Sequence, residues 1–508
     1  MPERDFQIMD DNELETILRD HLDELPPDDI AANTTPCGEA LARILTGLAL
    51  NAITLNFWGL NYLLPAIGML LILVGFRVLR GENPWFRACW FLSVVRTAYH
   101  FATLVLNSTI YHKAFYESAL GHGLNYVFLA LLFALLLCFR KGLRQVQEKA
   151  GLPPDGIVIT VVIVWYAIVC VLGLLNLGST FFGIALLVGY ICIIRALYKD
   201  FRELEATGYS IRPAELKCPN WTLVCILLAT VLVGGACGYL FLDSYPMDWQ
   251  IAEESHSDEA AEVKAHLVSL GFPESILEDL SEADILECKG ALDVVVDVRD
   301  HPVNSGREVI TVDGDHIYID TVYDVKELRI TGIAVKLPGE REQWKIIHHF
   351  LWTVDPGFTG TECIQLWPAY TTNQGWGAAG EITGQVLYDR NGTVYQAPFH
   401  DLSAGYYNSY NMFTGKYTDP MILATFSLPR KGTAHRGYVA YTVKEVQDGW
   451  ILNSWINYNH QNSWLQYPVM TAQENRMSES WDLDNRFRLV QDWLQFYPND
   501  EDPEPPSE

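Results

Sequence analysis

The feature that most limits how this chain folds is a series of apolar stretches between residues 42 and 243. Six of them, at 58–79, 85–106, 124–139, 157–177, 181–197 and 221–242, carry little charge. A helix of about 20 mostly apolar residues spans the hydrocarbon core of a bilayer, and these stretches meet or approach that length. Several have Trp or Tyr near an end, where amphipathic rings settle at the headgroup level. The sequence therefore predicts a polytopic α-helical region over 42–243. A semi-apolar run at 42–57 has two readings: a short seventh span, or an amphipathic helix lying in the interface.

Basic residues give the expected orientation. The loop after the first span carries Arg77, Arg80 and Arg87, and the loop after the third carries Arg140, Lys141, Arg144 and Lys149. The loop after the fifth carries Arg195, Lys199, Arg202, Arg212 and Lys217. The opposite loops carry only Lys113, and after the sixth span no Lys or Arg appears before Lys264. By the positive-inside tendency the three basic loops face the cytoplasm and the C-terminal part lies outside. Six spans place the N-terminus outside as well; seven place it inside. Residues 1–41 are acidic and contain Pro26-Pro27, unlike the basic start of a signal peptide. Within them Leu14, Ile17, Leu18 and Leu22 stand at helical spacing, which predicts a short amphipathic helix over 12–25.

Beyond residue 243 the character changes. Residues 244–290 read as a helical stalk, with Leu267, Leu270, Leu277, Leu280 and Ile285 as its apolar positions and Pro273 interrupting the pattern. Residues 291–497 are dominated by short alternating runs rich in Val, Ile, Thr, Tyr and Trp, as strands favour. They fall at 292–298, 309–312, 317–322, 328–337, 344–354, 381–388, 394–397, 422–428, 438–446, 450–458 and 463–471. Asn391-Gly392 and Asp448-Gly449 sit between such runs as hairpin signals. Residues 486–496 form a closing helix or a last strand, and 498–508 read as a disordered acidic tail. The predicted fold is thus an α-helical polytopic membrane region, followed by a short helical stalk and a mainly-β, antiparallel, sandwich-like extracytoplasmic domain.

Charge and cysteine usage exclude several functions. A net charge of −27 lacks the basic footprint that nucleic acid requires, so no nucleic-acid partner is expected. No C-x-x-C occurs among the ten cysteines, leaving a zinc or thioredoxin-like site without support. Cys288 and Cys363 either pair as a disulfide or remain buried thiols. No cofactor or metal is expected. Asp313, Asp315, Asp320 and His316 lack the spacing of a calcium loop and read as a turn. Gly375-x-Gly377-x-x-Gly380 matches a dinucleotide fingerprint by letter, but a strand rather than a helix follows it, so it reads as a loop between strands. His348 and His349 are adjacent in a strand and face opposite ways.

Two constellations carry chemistry. Arg96 and His100 stand four residues apart in the second span and share a helix face. They offer a polar site for an anionic substrate, a lipid headgroup or a partner helix. The bland alternative is that Arg96 snorkels to the interface or pairs with a loop carboxylate such as Glu117. Trp376, Tyr406, Tyr407 and Tyr410 read as loop aromatics able to stack on sugar rings, with Asn408, Asn411, Asn459 and Asn462 available to hydroxyls; against this stands an ordinary core role. Gly234-x-x-x-Gly238 permits close helix approach and favours a homo-oligomer through the membrane helices.

The leading expectation is a non-enzymatic protein of a bacterial plasma membrane that presents its acidic β-domain outside the cell to a protein, carbohydrate or envelope polymer. The alternatives are a transporter or transport accessory working through Arg96 and His100, and an extracytoplasmic hydrolase with a converging acid pair or Ser/His pair.

Overall fold

A computed structural model describes residues 35–52, 59–175, 180–211, 214, 218–252, 257–313, 316–368, 375–411, 415–447, 451–463, 466–478 and 486–498. The helix expected at 12–25, Asp315, the turn at 448–449 and the acidic tail after 498 lie outside the described residues. The chain divides into two compact units, Met1–Leu106 with Tyr111–Ala236, and Asn107–Ile110 with Cys237–Glu508.

The first unit is helical. Helix α1 (Cys37–Ala52) is followed by α2 (Leu60–Leu79), α3 (Pro84–Leu106), the short α4 (His112–Glu117), α5 (Ala119–Lys149), α6 (Ile157–Leu174) and α7 (Thr180–Ala206). Helix α8 (Asn220–Phe241) begins in this unit. Among the described residues, α2, α3, α5, α6, α7 and α8 are long and apolar enough to cross a membrane. Two-residue strands β1 (Thr35–Pro36) and β2 (Ser210–Ile211) pair antiparallel. In α1 the buried Leu41, Ile44, Leu45 and Leu48 form a stripe at helical spacing that joins one cluster with Ile72 and Phe76 of α2 and Leu197 and Phe201 of α7. Protein covers that stripe, so its apolar face is packed within the helical unit. At 16 residues α1 is shorter than the six helices long and apolar enough to cross a membrane.

Glycine brings α1 and α2 together. A Cβ on Gly47 would lie 2.6 Å from the Gly68 carbonyl oxygen, and one on Gly68 would lie 2.7 Å from that of Gly47. Such contact between backbones is how small residues pack helices where lipid offers no hydrophobic drive. Gly234 and Gly238 of α8 are also engaged within the chain, the first against Val105 and the second against Ser108.

The second unit holds an antiparallel domain. Its strands are β3 (Gln250–Ile251), β4 (Asp293–His301), β5 (Arg307–Asp313), β6 (His316–Val322), β7 (Leu328–Leu337), β8 (Gln343–Trp352) and β9 (Glu362–Trp367). They continue with β10 (Trp376–Arg390), β11 (Thr393–Ala397), β12 (Asp401–Asn411), β13 (Gly415–Phe426), β14 (Thr433–Glu445), β15 (Leu452–Gln461) and β16 (Phe487–Phe496). One sheet runs β3-β11-β10-β14-β8-β7-β4 and another runs β12-β13-β9-β15-β16, while β5 and β6 form a separate hairpin. Both large sheets feed one core. Ile330, Ile346, Phe350 and Val439 of the first meet Ile364, Phe426, Tyr458 and Leu494 of the second. The Phe350 and Phe426 rings stack at 5.3 Å.

Three helices, α9 (Asp258–Ser269), α10 (Glu274–Leu277) and α11 (Glu282–Glu287), occupy the stretch expected to be a stalk. They instead cover the other face of the seven-stranded sheet. Leu267, Ile276, Leu277 and Ile285 pack with Ile333, Val335, Ile347, Tyr438 and Ala440. The physical reason is the sheet's composition: β7 and β8 are apolar on both faces, so the face away from the core also needs a cover. A buried ion cluster pins α11 down. Lys345 of β8 donates to Asp284 at 2.8 Å, with both side chains 1% exposed, and also reaches Glu287.

Other differences from expectation are local. Asn391 (φ 53°) and Gly392 (φ 76°) make the expected tight turn between β10 and β11. The glycine-rich 375–380 stretch is not a loop: Trp376 to Gly380 begin β10, with an irregularity between Ala379 and Thr383. Residues 463–471 form no strand among the described residues, whereas β9 and β12 lie in stretches not read as strands. Residues 486–496 resolve as the strand β16. A final short helix, α12 (Ala472–Met477), starts with a capping box between Thr471 and Glu474. Cys288 and Cys363 are free thiols buried in separate clusters, and burial pushes each up to about 12.

Candidate functional site

The helical cover leaves a cleft of about 760 Å³ over one part of the seven-stranded sheet, within the size range of small-molecule sites. Its floor comes from alternate residues of neighbouring strands: Arg329 and Thr331 of β7, His349 and Leu351 of β8, Gln385, Leu387 and Asp389 of β10, and Arg436 of β14. The period of two turns all of these away from the core. Antiparallel pairing sets Tyr438 beside His349 and Arg436 beside Leu351, which brings Arg436 and His349 to one end of the floor. The wall comes from α10, the start of α11 and the turn between them, including Ile276, Glu278, Asp279 and Ser281.

Asp279 organises the cleft. Its carboxylate accepts from His349 Nε2 at 2.9 Å and from Arg436 Nε at 2.7 Å. Arg436 Nη1 continues to Asp389 at 2.8 Å, and Gln385 Nε2 donates to the Asp279 carbonyl oxygen at 2.9 Å. Asp279 and His349 are each 4% exposed. Burial pushes the Asp279 carboxyl up, but His349 and Arg436 outweigh it and hold the group below the ordinary carboxylate range. Arg329 is bound at 2.7 Å to Asp300. Both arginines of the cleft are therefore neutralised by carboxylates. Lys264, Glu278, Thr331, Thr393, Gln396 and Ser275 also line it, and among the described residues no Phe, Tyr or Trp does.

The close Ser/His pair, His348 Nε2 to Ser454 Oγ at 2.7 Å, is sealed in the core, with the two residues 1% and 0% exposed. His348 and His349 do face opposite sides of β8. The cleft carboxylate with a shifted pKa, Asp279, is shifted toward the ionised form, the opposite of what a general acid needs.

The aromatic set expected from sequence does not assemble. Trp376 is 3% exposed and belongs to the core. Tyr406 and Tyr407 lie in the strand β12 rather than a loop, so they alternate across it: Tyr406 is 69% exposed, and Tyr407 packs against Trp367 at 6.0 Å. Tyr410 falls in the same strand, and its side chain lies outside the described residues.

Arg96 and His100 both line a cavity of about 210 Å³ in the helical unit. Arg96 neither snorkels nor reaches Glu117: it is 6% exposed, donates to the Phe128 carbonyl oxygen at 2.8 Å and lies 4.2 Å over the Phe128 ring. A guanidinium at the centre of a spanning helix costs about 2.5–3.5 kcal/mol on the lenient scale, and the ring returns about 0.5–2 kcal/mol.

Sequence reasoning did not single out Asp279 or Arg436. The available signal was His349, whose strand neighbour faces the core, but its partners become visible only once β8 and β14 are paired. No family model matches the chain, and no curated protein matches it. Among solved structures, one described as a pore forming protein matches 38% of this chain and 95% of its own length, at 9% identity and a TM-score of 0.17. A likeness at that level carries no inference about fold or activity.

Proposed function

We propose that this chain is a polytopic membrane protein of the plasma membrane that holds its β-rich unit outside the cytoplasm and binds there a hydroxyl-rich saccharide segment of the cell envelope. The observation that carries the reading is the cleft over the seven-stranded sheet, in which Arg436 bridges Asp279 and Asp389 while Arg329 is held by Asp300. With these cations engaged, the cleft offers an anion no free guanidinium. What it presents is a set of carboxylate, amide and hydroxyl groups, with the single ammonium of Lys264, beside aliphatic Leu351, Leu387 and Val394. That mixture suits a neutral ligand with hydroxyls on one side and C–H surface on the other. The topology is supported by the placement of Lys and Arg, which favours the three basic connections of the helical unit facing the cytoplasm.

The test is calorimetry and thermal unfolding of the detergent-solubilised full chain against a panel of envelope oligosaccharides and a matched panel of peptides. Thr393→Trp, at the cleft wall, serves as a blocked control. Saturable saccharide binding that Thr393→Trp abolishes supports the reading. Binding of peptides alone, or saccharide binding that the blocked variant retains, refutes it.

A further inference from the structure

The cavity around Arg96 holds a chemistry that its own walls do not complete. Among the described residues no carboxylate lies within ion-pair distance of Arg96, and the Phe128 carbonyl is the acceptor of the one hydrogen bond it makes. A guanidinium carries five N–H donors. Beside it Thr97 is 2% exposed and lines the same cavity, and among the described residues neither its Oγ1 nor His100 Nε2, one turn further along α3, has a hydrogen-bond partner. In a dry, low-dielectric site unsatisfied polar groups are unfavourable, so the arrangement is complete only with an acceptor-rich guest between them.

We propose that this cavity is a binding site for a small monocarboxylate. Its oxygens are held by Arg96, Thr97 and His100, and its short hydrocarbon part lies against Met69 and Leu132. The single guanidinium matches a single negative charge, and its planar fork suits two carboxylate oxygens. Of the remaining polar lining groups, Asn51 and Ser93 donate to the Gly47 and Trp90 carbonyl oxygens and Tyr166 bonds Tyr190, and the rest is apolar, which favours a carbon tail over an inorganic oxyanion with further oxygens to satisfy. At about 210 Å³ the cavity equals the volume of about seven waters, room for a few heavy atoms and too little for a long lipid chain. Arg96 stands near the middle of the 23-residue α3, away from the depth of lipid headgroups. This site is independent of the saccharide cleft.

The experiment is equilibrium binding of radiolabelled propionate to the detergent-solubilised full chain, with chloride, phosphate and palmitate as competitors. Arg96→Gln, Thr97→Val and Leu132→Trp are compared by the same assay, each checked for an unchanged elution profile. The expected result is saturable propionate binding that Arg96→Gln weakens at least tenfold and Leu132→Trp abolishes. Thr97→Val, which removes one hydrogen bond without changing shape, weakens it about three- to tenfold. If Arg96→Gln does not fold, Thr97→Val and Leu132→Trp decide the matter. No propionate binding, binding indifferent to these substitutions, or displacement by chloride, phosphate or palmitate at concentrations as low as unlabelled propionate overturns the proposal.

Discussion

Replacing Asp284 by Leu removes the anion on which the helical cover of the seven-stranded sheet is fastened. Asp284 is 1% exposed and receives Lys345 Nζ at 2.8 Å, the Tyr438 and Thr383 hydroxyls at 2.5 Å, and Ser281 Oγ at 2.6 Å. Lys345 is 0% exposed, and its remaining anionic partner, Glu287, has a side chain that is 54% exposed. Removing one member of a buried pair leaves the other charge desolvated, at about 3–5 kcal/mol. For a domain of this size each kcal/mol moves the melting temperature by about 2–4 °C, so the expected fall is about 6–20 °C. The assay is thermal unfolding of the solubilised full chain, followed by the fluorescence of the buried Trp344, Trp352 and Trp376. The double variant Asp284→Leu/Lys345→Met removes both charges. It is expected to recover part of the loss, up to about 2 kcal/mol, the remainder being the hydrogen bonds of Tyr438, Thr383 and Ser281, at about 1 kcal/mol each. A fall under about 2 °C for the single variant, or a double variant no more stable than the single, refutes the reasoning.

Further outcomes follow from the same structure. Asp279 and Asp284 are both buried, which raises their carboxyls, yet their cationic partners hold both below the unfolded value of about 3.9. Their stabilisation is therefore complete above that pH and is lost as pH falls through the lower folded values. Melting temperature measured from pH 6 down to pH 3 should fall, and less steeply in Asp284→Leu. Gly68→Val places a side chain 2.7 Å from the Gly47 carbonyl oxygen. The overpacking is expected to cost about 1–3 kcal/mol, read as a lower melting temperature and less monodisperse protein on size exclusion. Single cysteines at Ala404 and Glu148 in a cysteine-free background should label in opposite ways with an impermeant reagent on intact cells, Ala404 reacting and Glu148 not. The reverse pattern inverts the topology.

What the sequence made legible was whatever depends on local composition and period. The six long apolar helices lie where hydropathy puts them, because an unbroken apolar run leaves few other options. Strand β7 was read to the residue, since Leu328–Leu337 is bounded by Lys326-Glu327 on one side and by Pro338-Gly339 on the other. The runs missed were those whose burial comes from distant partners. Glu362–Trp367 contains Glu362 and Gln365, each 0% exposed, and reads as polar until His460 is seen to meet Glu362 at 2.7 Å. Strand β12, rich in Gly, Ser, Asn and Tyr, has loop composition and becomes a strand through an eleven-pair register with β13.

The candidate sites divide along the same line. Arg96 and His100 were legible as a pair because one helix turn fixes their proximity before any tertiary structure is known; the cavity they line also takes in Asn51, Ser93, Thr97 and Tyr166 from α1, α3 and α6, with apolar walls between. The saccharide cleft is different in kind. Its central residues, Asp279, His349, Asp389 and Arg436, come from a turn and three strands spread over 158 residues of sequence, and only the order β10-β14-β8 together with the docking of α10 brings them within hydrogen-bond reach. The segment read as a stalk is the missing piece. A helix judged only by its own apolar positions has no stated partner, and Leu267, Leu277 and Ile285 suit a stalk or a sheet face equally. The partner was nonetheless written in β7 and β8: strands apolar on both faces require a second cover, and the three helices just before β4 supply it. Once that requirement is applied, the polar end of the same face, with His349 and Arg436, is where the cover stops packing on apolar side chains and a cleft opens.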